Sequence, residues 1–152
     1  MRHKYDQHTP KRVISELIIG ILMLVCGGFI YLLFRSKSLN IYVWCSVIGL
    51  ADYIDFMRNA TREWNVVNFI RFSLPDGLYC ASYIMVMDAI WNERSGIIKC
   101  FIISIVPIIT IGSEILQYFG IVKGTFDVYD LICYAIPITT YFIIKLIKQK
   151  TR

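Results

Sequence analysis

Four polar side chains interrupt an otherwise apolar stretch near the carboxyl-terminal end of the chain. They are Glu114, Gln117, Asp127 and Asp130. Glu114 is predicted to lie about 7.5 Å inside the end of its helix, too deep for a C-terminal cap and of the wrong charge for that end. Carboxylates inside apolar membrane helices are rare and are candidates for function. The four residues therefore predict the core of a polar pocket where two helices meet.

Asp76 and Arg71 are the candidates associated with an earlier apolar stretch. The sequence Ser73-Leu-Pro-Asp76 is typical of a helix start, since Ser accepts a free backbone amide and the carboxylate favours the positive helix end. Asp76 can also belong to the polar pocket. Arg71, just before this motif, is the cation best placed to pair with the acids or to bind an anionic head group. The sequence leaves open whether Asp76 caps a helix or belongs to the pocket, and whether Arg71 pairs with the acids or binds a head group.

The elements that must position these residues are predicted to be transmembrane helices. Of 152 residues, 57% are hydrophobic, and the mean hydropathy is +0.57, more than a soluble core of this size needs. Four apolar stretches of about 20 residues can each cross a hydrocarbon layer of roughly 30 Å. They cover residues 13–34, 74–91, 97–119 and 130–147. The chain is therefore predicted to be a single all-α membrane domain, a polytopic bundle with four transmembrane helices.

Residues 40–57 are ambiguous. The apolar run within them, residues 41–51, is short for a span and is followed by Asp52 and Asp55. An interfacial or re-entrant helix fits this length. A full crossing would instead place the basic carboxyl terminus outside the cell, against the positive-inside rule. The charge distribution favours the interfacial or re-entrant helix.

The distribution of Lys and Arg predicts the orientation, because positively charged flanks are retained in the cytoplasm. With four spans, both termini and the turn near residues 92–99 lie inside. The basic residues placed there are Arg2, Lys4, Lys11, Arg12, Arg94, Lys99, Lys145, Lys148, Lys150 and Arg152. Asp88, at the inner end of its helix, is expected to pair with Arg94 or Lys99. The polar pocket then belongs to the outer face.

Other features exclude several classes of function. The net charge of +5 is spread over tails and loops without a basic motif that interleaves aromatics, so no nucleic-acid partner is expected. The five cysteines are isolated in apolar surroundings, which indicates packing. His3 and His8 lie in the inner tail, so neither a His-based nucleophile nor a zinc site is expected outside. Glu114, Asp127 and Asp130 could chemically hold a hard cation. Their spacing alone does not predict one, and no cofactor or metal is expected.

Two motifs resemble the VanZ-like family: Ser-Glu-Ile-Leu-Gln at 113–117 and Gly-Thr-Phe-Asp-Val-Tyr-Asp at 124–130. That family has Glu-x-x-Gln at the end of one helix and Asp-x-x-Asp at the start of the next. The resemblance covers about residues 97–145 and indicates a divergent member. It implies a protein of the bacterial cytoplasmic membrane, from a family linked to low-level tolerance of glycopeptides such as teicoplanin. It implies no known reaction.

Three classes of function are open. The favoured one is a membrane protein whose outer-face pocket binds or modifies an envelope lipid, a lipid-linked precursor or a glycopeptide. The alternative is a small oligomeric proton-coupled transporter or channel in which Glu114 is the titrating group. The distribution of acids argues against a transporter, because the carboxylates cluster toward one membrane face and only Asp88 lies toward the opposite face. The third class is an accessory subunit without chemistry. The sequence does not determine whether the protein forms a homo-oligomer or whether it catalyses a reaction.

Overall fold

The computed structural model describes residues 10–92 and 96–150, which form six α-helices. The helices are α1 (Pro10–Phe34), α2 (Asn40–Val47), α3 (Ala51–Ala60), α4 (Asn68–Ile90), α5 (Ile97–Tyr118) and α6 (Val128–Lys150). No strand occurs in these ranges, so the predicted all-α fold is confirmed for them. Some residues used for the orientation lie outside the described residues, as do both histidines. They are Arg2, Lys4, Arg94 and Arg152.

Three of these helices are long and apolar enough to cross a membrane. The candidate spans are Lys11–Phe34, Ile97–Tyr118 and Val128–Ile147. They match three of the four predicted spans to within a few residues. Many apolar side chains on α1 point away from the rest of the chain, such as Leu22 and Val25, which are 57% and 60% exposed. Such side chains suit contact with lipid, so the chain has the character of a membrane protein.

α4 is not among these candidate spans, although a span was predicted over residues 74–91. It is the central helix of the bundle and packs against α1, α5 and α6. It buries Ser73 and Ser82 and also carries Asp76 and Asp88. A helix surrounded by other helices contacts protein more than lipid, so polar residues with hydrogen-bond partners are tolerated there. Because α4 is long enough to span a membrane, its polar residues, and not its length, exclude it from the candidate spans.

The start of α4 differs from the helix start that the sequence suggested. The helix begins at Asn68, more than one turn before Ser73, and its N-cap residue makes no side-chain capping bond. Ser73 and Pro75 are buried within the helix. The capping interpretation of Ser73 and Asp76 is therefore wrong. Pro75 is the eighth residue of α4, so it removes the interior hydrogen bond to the carbonyl of Arg71.

Residues 40–57 form two short helices instead of the single predicted helix. α2 and α3 are separated at Gly49, whose φ of +79° is a left-handed conformation that favours glycine. Their 8 and 10 residues make helices of about 12 and 15 Å, too short to cross a membrane. Arg58 of α3 donates to the carbonyls of Leu32 at 2.8 Å and Arg35 at 2.7 Å. These bonds satisfy carbonyls at the end of α1 and fix α3 beside it.

One end of the bundle, which we call the paired end, has a closely paired carboxylate. Lys99 Nζ at the start of α5 lies 2.6 Å from Asp88 Oδ1 and also donates to the Asp88 carbonyl at 3.0 Å. Tyr141 of α6 donates to the same carboxylate at 2.7 Å, and Lys145 Nζ lies 4.0 Å from it. The predicted pairing of Asp88 with Lys99 is confirmed. Arg94, the other predicted partner, lies outside the described residues.

An apolar core lies along the middle of the bundle. It consists of Cys80 and Ile84 of α4 and Ile103 of α5, which are 1%, 3% and 0% exposed. Tyr134 of α6 is among the partly buried side chains that pack against it. Cys80 and Cys133 are free and buried, as the packing interpretation predicted, and Cys45 and Cys100 are partly buried, whereas Cys26 is exposed, against that interpretation.

Candidate functional site

The opposite end of the bundle, which we call the acidic end, forms where α1 and α5 end and α4 and α6 begin. Glu114 connects α5 to the start of α6 there. Its side chain is 6% exposed, and its Oε2 accepts a hydrogen bond from the backbone N–H of Asp127 at 3.3 Å. Asp127 Oδ1 accepts the N–H of Tyr129 at 2.8 Å, so Asp127 caps α6. The predicted proximity of Glu114 and Asp127 is confirmed.

Asp76 and Asp130 complete the carboxylates of the acidic end. Asp76 of α4 lies within electrostatic range of Asp130 and Glu114, and these like charges repel one another. Oδ1 of Asp130 is buried, and no described residue hydrogen-bonds to it. A buried carboxylate oxygen without a partner is unfavourable. The carboxylates of the acidic end are therefore incompletely paired by the described side chains.

Arg35, and not Arg71, is the cation that reaches these acids. Arg35 Nη2 lies 3.4 Å from Asp76 Oδ2 and donates to the carbonyl of Phe72 at 3.1 Å. Arg71 makes no ion pair with a described residue. Its guanidinium lies over the ring of Phe34 instead, 5.6 Å from the centroid. Of the two alternatives for Arg71, pairing with the acids is therefore wrong, because its guanidinium lies against Phe34 of α1.

Gln117 lies near the acids without bonding to them. Its Nε2 donates to Ser113 Oγ at 3.4 Å, and its side chain packs against Gly124 in the loop before α6. A Cβ at Gly124 would lie 2.5 Å from Gln117 Cδ, and the φ of +152° also favours glycine. In this arrangement Gln117 supports the loop. Its role as a member of the polar pocket stays a prediction.

The sequence analysis missed three residues of the acidic end. Cys133 and Tyr134 of α6 lie within electrostatic range of Asp76 and Asp130. They follow Asp130 by three and four residues, so helical periodicity places them on its face one turn later. Arg35 follows the first span directly. Because α1 and α4 are antiparallel neighbours, the end of one lies beside the start of the other, and this topology could have indicated Arg35.

The arrangement of the acids does not suit a metal ion. Among residues 10–92 and 96–150, no three His, Cys, Asp or Glu side chains are placed to hold one ion. A cation shared by Glu114, Asp127 and Asp130 is thus unsupported. Partly buried carboxylates with free oxygens can instead accept hydrogen bonds from a positively charged donor, of which an amine is the simplest.

Comparisons with known proteins return no match for this chain: no family model, no curated protein and no solved structure is similar to it. The resemblance to the VanZ-like family therefore rests on the motifs at residues 113–117 and 124–130. Any functional conclusion depends on the geometry of the acidic end.

Proposed function

We propose that this chain is an integral membrane protein with four transmembrane helices, of which α4 is the central one. α1, α5 and α6 have the length and hydropathy of spans. Near its start, α4 contacts the end of α1 through Asp76 and Arg35. Near its other end, α4 contacts the start of α5 through Asp88 and Lys99. These two ion pairs support an α4 that runs through the full depth of the bundle.

α2 and α3 are proposed to lie in the membrane interface at the acidic end. Trp44, Tyr53 and Phe56 are 68%, 71% and 75% exposed there. Large aromatic side chains are enriched at the level of the lipid head groups. With both basic termini in the cytoplasm, the acidic end faces the outside of a bacterial cytoplasmic membrane.

Cysteine labelling tests this topology. In a background without the five native cysteines, a cysteine at position 123 should react in intact cells, and one at position 150 only after permeabilisation. The reverse pattern would contradict the orientation. Reaction of both positions in intact cells would contradict a span at α6.

The function proposed for the acidic end is binding of an amine-bearing head group from an envelope lipid, a lipid-linked precursor or a glycopeptide. The observation that carries it is the burial of Glu114 among other acids. Glu114 is 6% exposed and lies within electrostatic range of Asp127 and Asp130. Among described residues, the only ion pair of these carboxylates is the 3.4 Å contact of Asp76 with Arg35. A ligand that brings positive charge would relieve this repulsion.

The residues have different roles in this proposal. Glu114 and Asp130 supply free carboxylate oxygens to the ligand, since Asp130 Oδ1 has no partner among described residues. Asp127 fixes the start of α6, on which Asp130 is carried. Asp76 and Arg35 form the edge toward α1. A VanZ-like protein of the bacterial envelope is the setting that the sequence motifs suggest for such a site.

The transporter alternative is less well supported by the geometry. A proton path from Glu114 would need polar groups that lead to the paired end. Cys80, Ile84 and Ile103 occupy the intervening depth of α4 and α5, and each is at most 3% exposed. This apolar core separates the two ends of the bundle.

Replacement of Glu114 by Gln tests the proposed function. Gln keeps the shape and a hydrogen-bond acceptor but removes the charge. At equal abundance, Glu114→Gln should lose the lipid or precursor that co-purifies with the wild-type protein, as detected by mass spectrometry, together with any effect on glycopeptide tolerance. Glu63→Gln, at an exposed acid between α3 and α4, is the matched control and should retain both. Equal ligand content in the two variants would contradict the proposal.

A further inference from the structure

Arginine side chains also gather where α1 ends and α4 begins. Arg35 directly follows α1, and Arg71 lies one turn into α4. Phe72 links them, because Arg35 donates to its carbonyl at 3.1 Å. Arg58 of α3 lies against the same end of α1 through its bond to the Arg35 carbonyl at 2.7 Å. We call Arg35, Arg58 and Arg71 the arginine junction.

Little negative charge is available to this junction. Arg58 donates to carbonyl oxygens, which do not neutralise its charge. Asp55 of α3 lies within electrostatic range of Arg58, but its carboxylate is already paired with Lys37 at 2.7 Å. Asp76 lies 3.4 Å from Arg35, longer than a good charge-assisted bond. With Arg71 outside every ion pair of the described residues, the junction carries net positive charge.

Two guanidinium groups of the junction each contain one nitrogen without a hydrogen-bond partner among the described residues. Nε of Arg35 and Nε of Arg71 are both buried and unpaired within the described part of the chain. The Cζ atom of Arg35 lies 5.0 Å from the ring centroid of Tyr31 and 5.1 Å from that of Phe72, and the guanidinium of Arg71 lies over the ring of Phe34. Stacking on aromatic rings leaves the planar N–H edges free for bidentate binding. A modest rotation of either side chain would present Nε and an Nη to one phosphate group.

An open groove of about 310 Å³ lies beside the junction. Its lining residues are Tyr31, Leu39, Asn40, Ile41 and Tyr79. Tyr31 also carries the stacked Arg35, so the groove continues directly from the guanidinium. Because Arg35 follows the last residue of the α1 span, it lies at the depth of lipid head groups. The lining combines the polar groups of Tyr31, Asn40 and Tyr79 with the apolar side chains of Leu39 and Ile41, a mixture that suits the glycerol and upper acyl chain of a lipid.

We infer that Arg35 and Arg71 bind the phosphate of an anionic membrane phospholipid whose glycerol and upper acyl chain lie in the groove beside Tyr31 and Tyr79. The site shares Arg35 with the edge of the amine-binding site proposed for Glu114, but it takes a phosphate, is tested at Arg71 and rests only on the membrane setting. It gives the acidic end a neighbouring lipid-anchoring position.

Lipid retention in purified protein tests this inference. The protein is placed in nanodiscs that contain phosphatidylglycerol and a neutral lipid, and bound phosphatidylglycerol is counted by native mass spectrometry. Arg71→Gln should lower its retention about tenfold. Arg71→Lys keeps the charge but lacks the planar fork, so its retention of phosphatidylglycerol should lie between that of the wild type and that of Arg71→Gln. Arg62→Gln is the matched control, because Arg62 is an exposed arginine between α3 and α4. Circular dichroism verifies that each variant is folded.

Unchanged retention in Arg71→Gln, or an equal loss in Arg62→Gln, would overturn the inference. Excess inorganic phosphate supplies a second criterion. It should not displace the lipid, since the groove contributes to binding. Displacement by inorganic phosphate would mean that the junction binds free phosphate, and it would overturn the lipid assignment. Either failure would leave the acidic end, tested separately by Glu114→Gln, unaffected.

Discussion

The two ends of the helix bundle differ in how completely their charges are paired. At the paired end, Asp88 has an ammonium group 2.6 Å away in Lys99 and a hydroxyl donor 2.7 Å away in Tyr141. At the acidic end, the Arg35–Asp76 contact is 3.4 Å long. Glu114 and Asp130 lie within electrostatic range of Asp76 and make no ion pair with a described residue.

Burial alone does not distinguish the two ends. Lys99 and Glu114 are both 6% exposed. Lys99 has a carboxylate and a carbonyl as partners, whereas Glu114 lies among other acids and, within the described part of the chain, accepts only the 3.3 Å bond from Asp127. The fold accounts for a buried charge with full pairing, whereas an incompletely paired one is a candidate site at which a ligand completes the pairing. This contrast is the reason to assign function to the acidic end.

The largest effect is expected at the paired end. Lys99→Met removes the cation and leaves the Asp88 carboxylate buried without it, which should lower the free energy of unfolding by about 3–5 kcal/mol. Lys145→Met is the control, because Lys145 lies 4.0 Å from Asp88 and is 43% exposed. It should cost less than about 1 kcal/mol. Unfolding in mixed micelles measures both. Equal, small losses would remove the structural role assigned to Lys99.

Loss of the whole polar group at Glu114 should have a smaller effect on stability. Glu114→Leu leaves the N–H of Asp127 unpaired, at a cost of about 1–3 kcal/mol. Glu114→Gln can still accept that bond and should unfold nearly as the wild type does. The same unfolding assay compares the two variants. If Gln proved as destabilising as Leu, the Glu114 charge would be structural, and the contrast between the two ends would fail.

Asp127 should behave as a helix cap and not as a ligand-binding charge. Asp127→Ala removes the bond to the Tyr129 N–H and should cost about 0.5–2 kcal/mol. Asp127→Asn keeps a capping oxygen and should restore most of that stability and also the ligand retention. Thermal unfolding and mass spectrometry of bound lipid check the two expectations. Ligand loss in a stable Asp127→Asn protein would add Asp127 to the binding carboxylates.

The smallest effect is expected for the exposed pair between Lys37 and Asp55. Their 2.7 Å bond lowers the pKa of the Asp55 carboxyl below its usual range. Any stabilisation is therefore present at neutral pH and is lost as the pH falls through that lowered pKa. Because solvent screens the pair, Lys37→Ala should show no measurable change in unfolding at neutral pH. A clear loss would mean that α3 depends on this pair as well as on Arg58.

The sequence predicted much of this architecture because local signals determine it. Apolar stretches long enough to span a membrane identify α1, α5 and α6. The short connection between α5 and α6 also predicted that Glu114 would reach Asp127, since few residues separate the two helix ends.

The errors arose where tertiary contacts override local patterns. Ser73, Pro75 and Asp76 together look like a helix start, yet α4 begins at Asn68 and packs them inside the bundle. The ion pair between Arg35 and Asp76 joins residues far apart in the sequence, and neither carries a local signal of the other. Such partners become visible only when the antiparallel order of the helices is considered.

The most direct test of the central claim is the affinity of the acidic end for a positively charged head group. Wild-type protein in nanodiscs is titrated with a phospholipid that bears a primary amine and with the same lipid after N-acetylation. The amine form should bind about tenfold more tightly. In Asp130→Asn, which neutralises the carboxylate whose Oδ1 lacks a partner among described residues, the difference should disappear. Equal binding of both lipids by the wild type would contradict the account.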